Sequence, residues 1–455
     1  MRTSSPRRAP LARIPARALA TTVIAASVFV AGRASALQPL ETFLAGAREK
    51  NVDNVAAGLT ALQRDYESDA AFRKLLPAIS ARGTYTRNQF EAAATLPKGD
   101  GTTQKLVIQP LDQLDAFITL DVPVVDLSSY ARYRLARAQT GLADASRTMT
   151  RLQIDKTVAR SYATLAGSAD LARAASKSVE SAELNVKVVT NKKNVGAASD
   201  FDVERAQANV ERARQALADA ELTVALARRT LETLSGISPS SEGSPPTDDL
   251  HEEPALATFE ASPDLPNRKL AEASDRVAAE AHRVARYAFA PTLSLQGSER
   301  FTNATGFTGQ AAFLTLSANA VIRFDLSMLS NDKAAAAASE VATVRARFAE
   351  REASDQIFEA WQRVHAGIQK VRAARAEEGV ASHAEKLAVD RYGGGVATQL
   401  DVVESQRQSF TASANRSQAE AELAYARSLL RIVTTRADEG SKAASTKVSS
   451  TENPR

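Results

Sequence analysis

The stretch "YGGGVATQLDVVESQ", Tyr392 to Gln406, sets three glycines in a chain rich in Ala, Leu, Arg and Glu, then resumes a helical pattern at once. Those four residue types favour helix, whereas a glycine inside one costs about 1 kcal/mol relative to Ala. A second stretch, "VGAASDFDVERAQ" at Val195 to Gln207, has the same form. Sliding the chain on itself by 199 residues superposes them: Gly196 falls on Gly395, Asp202-Val203 on Asp401-Val402, and Gln207 on Gln406. In the same register "DLS" at Asp126–Ser128 falls on "DLS" at Asp325–Ser327, and Leu231 falls on Leu430. The register holds without a gap from Asp126 to Leu231, which marks an internal duplication.

The segments around the two stretches read as long helices. Val203, Val210, Leu217, Val224 and Leu231 recur every seven residues, and so do Ala206, Ala213, Ala220, Ala227 and Leu234. This is an a/d seam with small residues at one position, so partner helices approach closely. In the second copy Ser409 and Arg416 interrupt the matching seam. The glycines then find a role as turn residues at the tips of two helical hairpins. Positive φ is expected at Gly196, Gly393, Gly394 and Gly395. Ser199 and Thr398 are placed to N-cap the returning helices.

Ahead of each long helix the period changes to two. Ile118, Leu120, Val122 and Val124 alternate with mostly polar residues, as do Leu314, Leu316, Ala318, Ala320, Ile322 and Phe324. Alternation with one apolar face is a strand. Two further strands start at Pro77 and Pro291, each joined to its follower by a polar loop. Strands of about 10 residues have the length a tilted strand needs to cross hydrocarbon. A soluble sheet with one buried face is the alternative. Four strands would leave open edges, which closure by several copies of the chain removes. The expected fold is mainly α with membrane β-strands: long coiled-coil hairpins plus a four-strand contribution to a trimeric β-barrel.

The expected division is residues 1–36 as a signal peptide, 37–236 as the first repeat, 237–262 as a Pro/Ser/acid-rich linker, 263–436 as the second repeat, and 437–455 as a disordered tail. The first segment is basic, then apolar, and ends in the small-x-small site Ala34–Ala36. Its Arg7-Arg8 pair leaves the twin-arginine route open beside the general one. Residues 1–36 carry six of the 57 basic residues and no acid, leaving 51 bases against 53 acids. The overall basic balance is therefore no signal for nucleic acid. The absence of Cys excludes disulfides and thiolate metal sites. The four His are scattered without ligand spacing, no phosphate-binding Lys-Ser/Thr follows the glycines, and no G-x-S-x-G occurs. No enzyme, cofactor or metal is expected.

The arrangement resembles the TolC-like outer-membrane efflux protein family over nearly all of the chain after residue 36. The two tips carry the most specific part: a Gly, a short polar turn, then Asp-Val and a returning helix. The resemblance implies a homotrimer with a twelve-stranded barrel among outer-membrane lipid, continued as a helical tunnel through the periplasm. It also implies tips that narrow the periplasmic mouth and meet an adaptor protein linked to an inner-membrane pump or secretion transporter. Drugs, metals and proteins all remain possible cargo. A periplasmic coiled-coil adaptor or scaffold is the alternative, and two equal copies with barrel-like strands speak against it.

Beside the resemblance, Asp401 and Glu404 are three apart and share a helix face. The first tip has Asp202 and Arg205 there, a self-neutralising pair, so only the second tip is expected to present an uncompensated acidic face. Repeated by threefold symmetry, that face would form a cation-attracting constriction and part of a gate. The alternative is a solvated acidic helix start, favourable to the dipole. By resemblance, Tyr392 is expected to hydrogen-bond to the neighbouring coil, with Asp202 as acceptor; a packing Tyr is the alternative. Ala397 stands where relatives have a basic residue, and Phe201 where they have a small polar one.

Overall fold

The computed structural model describes residues 37–97, 99, 101–240, 248–260 and 265–434. The expected signal peptide and tail, and parts of the linker, lie outside the described residues. Two helices, α1 (Leu40–Lys50) and α2 (Val52–Arg73), open the chain, followed by β1 (Ala78–Arg87), β2 (Ala92–Pro97), β3 (Thr103–Gln109) and β4 (Asp112–Val125). The hairpin α3 (Leu127–Asn194) and α4 (Asp200–Ser235) completes the first copy. A short helix α5 (Leu256–Glu260) precedes the second: α6 (Pro266–Tyr287), β5 (Thr292–Thr302), β6 (Ala312–Val321), α7 (Leu326–Gly393) and α8 (Gln399–Thr434).

The duplication is visible element by element. Helices α3 and α7 are both 68 residues long, and α4 and α8 both 36, each pair offset by 199. At 1.5 Å per residue the longer helices run about 100 Å. Helices α2 and α6 are both 22 residues long but are offset by 214. The offset changes in the strand connection, which holds residues 88–111 in the first copy and only 303–311 in the second. The surplus corrects the expectation of a simple polar loop: it folds as the separate β2–β3 hairpin. The first copy also opens with two helices where one was expected.

Strands β1, β4, β5 and β6 form one antiparallel sheet in that order, so the β4–β5 pairing joins the two copies. Cross-strand register sorts the side chains into two faces. One row reads Ile79, Leu120, Gly297, Leu316; the next, on the opposite face, reads Ser80, Thr119, Ser298, Thr315. The apolar face is uncovered: Ile79 is 76% exposed and Leu316 77%. Strand β6 ends at Val321, so Ile322 and Phe324 fall beyond it. Pro123 sits beside a register shift in β4, consistent with its missing N–H. No helix among the described residues is long and apolar enough to cross a membrane.

The rods are held by alanines and a few larger groups. On α4 the seam residues Ala206, Ala213, Ala220 and Ala227 are all buried. Phe43, Val158 and Leu231 pack together where α1 meets the first hairpin. Val364, Val371, Leu423 and Leu430 form the equivalent cluster in the second. The interrupted α8 seam is held polar: Arg416 bridges Glu378 at 2.7 Å and Glu420 at 3.0 Å.

The linker is pinned to the second hairpin. The Arg427 side chain is only 7% exposed and binds Asp248 at 2.7 Å, Glu253, and the His251 carbonyl at 2.7 Å. Trp361 stacks on His365 and donates its indole N–H to the Pro254 carbonyl at 2.9 Å.

Candidate functional site at the hairpin tips

Each tip is built by the same local chemistry. Gly196 and Gly395 both take φ of 79°. Ala197 N–H bonds the Lys192 carbonyl at 2.8 Å and Gly196 N–H the Lys193 carbonyl at 2.9 Å. Val396 and Gly395 repeat this with Arg391 and Tyr392, at 2.9 and 3.1 Å. This pattern satisfies the last carbonyls of α3 and α7 with one left-handed residue. Gly393 is the last residue of α7 and Gly394 has φ of −78°, so positive φ is needed only at Gly395, not through all three glycines.

Ser199 and Thr398 cap the returning helices as expected. The Asp202 N–H donates to the Ser199 hydroxyl at 3.2 Å, and the Ser199 N–H donates to the Asp202 carboxylate at 3.1 Å. Thr398 and Asp401 reproduce this at 3.2 and 2.8 Å. These bonds, from hydroxyl and backbone N–H, hold the carboxyls of Asp202 and Asp401 below their ordinary value. A carboxylate with lowered pKa stabilises its cap above the unfolded-state pKa, about 4, and that contribution fades as pH falls through the lower folded value. Protection of the amides at 197–202 and 396–401, measured relative to the intrinsic exchange rate at each pH, is therefore expected to fall on going from pH 7 to about pH 3, more than in mid-helix. Asp401→Ala should remove the pH dependence at the second tip; an unchanged profile would refute this account of the cap.

The acidic pair of the second tip is not uncompensated. Arg407 grips Glu404 at 3.0 and 2.5 Å, and Gln408 donates to the same carboxylate at 3.0 Å. These contacts lower the Glu404 pKa. Spacing of three had singled out the acid pair, but the next residue at that spacing, Arg407, belongs to the same face. In the first tip Arg205 lies over the Phe201 ring, 4.6 Å from its centroid, rather than pairing directly with Asp202.

Tyr392 does not bond to Asp202. It is 6% exposed and packs with Val189, Ala206 and Val402 where the two hairpins meet. Burial, with the Asp202 charge second, raises its phenol pKa. Lys192 covers the ring at 4.4 Å and donates to the Tyr392 carbonyl. Ala397 lines the same cluster, while Phe201 stays largely exposed.

Two features escaped the sequence. The hairpins are cross-linked by a polar ladder. Asn209 donates to Gln406 at 3.0 Å, Gln406 to the Ser181 carbonyl at 3.1 Å, and the Ser181 hydroxyl to Glu385 at 2.6 Å. The match of Gln207 to Gln406 marked the position but not its partners. The second feature is a broken equivalence. Lys193 pairs with Asp200 in the first tip. The equivalent positions in the second are Tyr392 and Gln399, both buried. The Tyr392 hydroxyl and both amide atoms of Gln399 have no hydrogen-bond partner among the described residues.

An amphipathic sheet continued by 68-residue helices that turn back at capped tips is a fold shared with solved outer-membrane channels. Residues 44–237 match the family model for outer membrane efflux proteins. The Campylobacter jejuni CmeC outer membrane channel is similar over 90% of this chain and 89% of its own, at 17% identity and a TM-score of 0.76. The Vibrio cholerae outer membrane protein VceC is similar over 87% and 95%, at 15% identity and 0.72. The open state of the Neisseria gonorrhoeae MtrE outer membrane channel is similar over 88% and 90%, at 18% identity and 0.70. No curated protein matches significantly in sequence. The family match falls on the first copy and the shared fold spans both, which bears out the resemblance to TolC-like outer-membrane efflux proteins.

Proposed function

We propose that the protein is an outer-membrane channel-tunnel, a homotrimer that passes substrates from a periplasm-spanning pump or type I secretion system to the outside. The uncovered apolar sheet face, bounded by unpaired edges at β1 and β6, is the observation that carries this reading. Three such sheets close into a barrel without edges, with the apolar face to lipid and the polar face to the lumen. The helices then form a periplasmic tunnel whose mouth is set by the tips. Residues 37–236 and 263–436 act as its two repeats, joined by 237–262. The role is that of a passive conduit with no catalytic step.

Asp401, Glu404, Asp202 and Tyr392 form the constriction in this reading. The buried polar atoms of Tyr392 and Gln399 support a tip that rearranges, because an unpaired buried polar group costs about 1–3 kcal/mol and opening would hydrate it. The exposed Val195, Phe201, Val396 and Leu400 beside Gly196, Ser199, Gly393–Gly395 and Thr398 suit contact with an adaptor protein.

Single-channel conductance of the purified protein in planar bilayers tests both levels. Wild-type channels should prefer cations, because Arg407 offsets Glu404 and leaves the Asp401 carboxylate uncancelled, and Asp401→Asn should bring the permeability ratio toward one. Unchanged selectivity would remove the acidic constriction and leave the tunnel. Absence of channels from well-folded protein would favour the periplasmic coiled-coil scaffold, which would also fractionate away from the outer membrane.

A further inference from the structure

The polar face of the sheet carries one row unlike its neighbours. Register places Arg82 of β1, Phe117 of β4, Arg300 of β5 and Phe313 of β6 side by side across all four strands. The adjacent row consists of the hydroxyl residues Ser80, Thr119, Ser298 and Thr315. Aromatic rings on the water-facing side of a membrane sheet need a reason, since lipid-facing positions were available one residue away.

Part of the reason is visible. The Arg300 guanidinium lies 5.6 Å from the centroid of Phe117 and 5.6 Å from that of Phe313. Asp115, in the next row outward, accepts from Arg300 Nε at 2.9 Å and from a terminal nitrogen at 2.7 Å. The Asp115 side chain is only 9% exposed, so Arg300 is neutralised and fixed between two rings. Arg82 is different. It is exposed and has no ion-pair or hydrogen-bond partner among the described residues. Its neighbours along the polar face of β1 are the uncharged Ser80 and Thr84. Asp115 is engaged by Arg300, and Asp121 pairs in register with Ala78, two rows away. Each sheet thus presents an unneutralised guanidinium beside a rigid array of π-faces.

We propose that this row is a solute-binding girdle in the outer half of the barrel lumen, with planar aromatic anions as its ligand class. The proposal rests on the trimeric-channel reading, which closes three rows into a ring and turns the polar face inward. Arg82 supplies the charge. Phe117, Phe313 and the flat face of Arg300 supply stacking surface, which an aliphatic anion cannot use. The girdle lies near the outer ends of β5 and β6, so solutes meet it last before release.

Block of single-channel current by 1-naphthalenesulfonate tests this, with ethanesulfonate as the aliphatic control. The polar rods stay on the side of protein addition, so the opposite chamber faces the girdle. Wild-type current should be blocked from that chamber by the aromatic anion and far less by ethanesulfonate. Arg82→Gln, an exposed edge-strand change, should raise the half-blocking concentration about tenfold. Phe117→Leu with Phe313→Leu should do the same while leaving unblocked conductance intact. Equal block by the two anions, or block unaffected by Arg82→Gln, overturns the girdle even if the Phe variant does not fold, and leaves the channel standing. A wild-type protein that forms no channels overturns the channel reading and the girdle with it.

Discussion

Inserting one alanine between Ala175 and Ser176, in the last third of α3, should abolish the assembled protein. Beyond the insertion every side chain turns by about 100° around the helix axis. Ala182, Asn185 and Val189, now buried at 1%, 4% and 0% exposure, would leave the seam, and Ser181, Leu184 and Val188 would take their places, with a larger Leu where Asn185 now packs. Forcing a larger side chain into a packed position costs about 1–3 kcal/mol. The ladder through Ser181 to Gln406 and Glu385 would break at the same time. A local bulge can absorb the residue, but only by distorting a helix packed on several sides. An alanine inserted after Gly309, in the short β5–β6 connection, is the control; loop lengthening costs little. The α3 insertion variant should show loss of cooperative thermal unfolding and of the proposed trimer by size-exclusion chromatography with light scattering. Normal assembly of that variant would refute the packing described for α3.

Replacing Arg427 with Ala should have the next largest effect. Removing the guanidinium leaves Asp248 and Glu253, both mostly buried, without their shared countercharge. Breaking one side of a buried ion pair costs about 3–5 kcal/mol. The loss should free residues 248–260 from α8, and the Trp361 bond to Pro254 should weaken with it. Arg427→Lys should fall between the two, since an ammonium keeps the charge but loses the fork that reaches several acceptors. Denaturant unfolding reads the stability, and limited proteolysis with mass spectrometry reads new cleavage within 248–260. An Ala variant with wild-type stability and an uncut linker would show that the pinning contributes nothing.

The tips show where sequence reasoning reached and where it stopped. Local chemistry was legible: Gly196 and Gly395 as turn residues, and Ser199 and Thr398 as caps, follow from backbone sterics and hydrogen bonding within a few residues. Charge compensation was misread because Arg407 lies just beyond the acid pair. The partner of Tyr392 was misread because its environment is supplied by Val189 and Ala206, about 200 positions away. The β2–β3 hairpin was missed because its strands are short and lack clean alternation.

By itself the sequence determined the duplication, the turn positions and the two-faced strands of the four-stranded sheet. Each is a matter of periodicity or of interactions within one helical turn, and so is written in neighbouring residues. Only the tertiary structure decided that α3 lies against α8, that Arg427 holds the linker, that Gln406 bridges the hairpins and that Arg82, Phe117, Arg300 and Phe313 share one row. Those contacts join residues far apart in the chain, and they follow from strand register and helix packing, which no local pattern encodes.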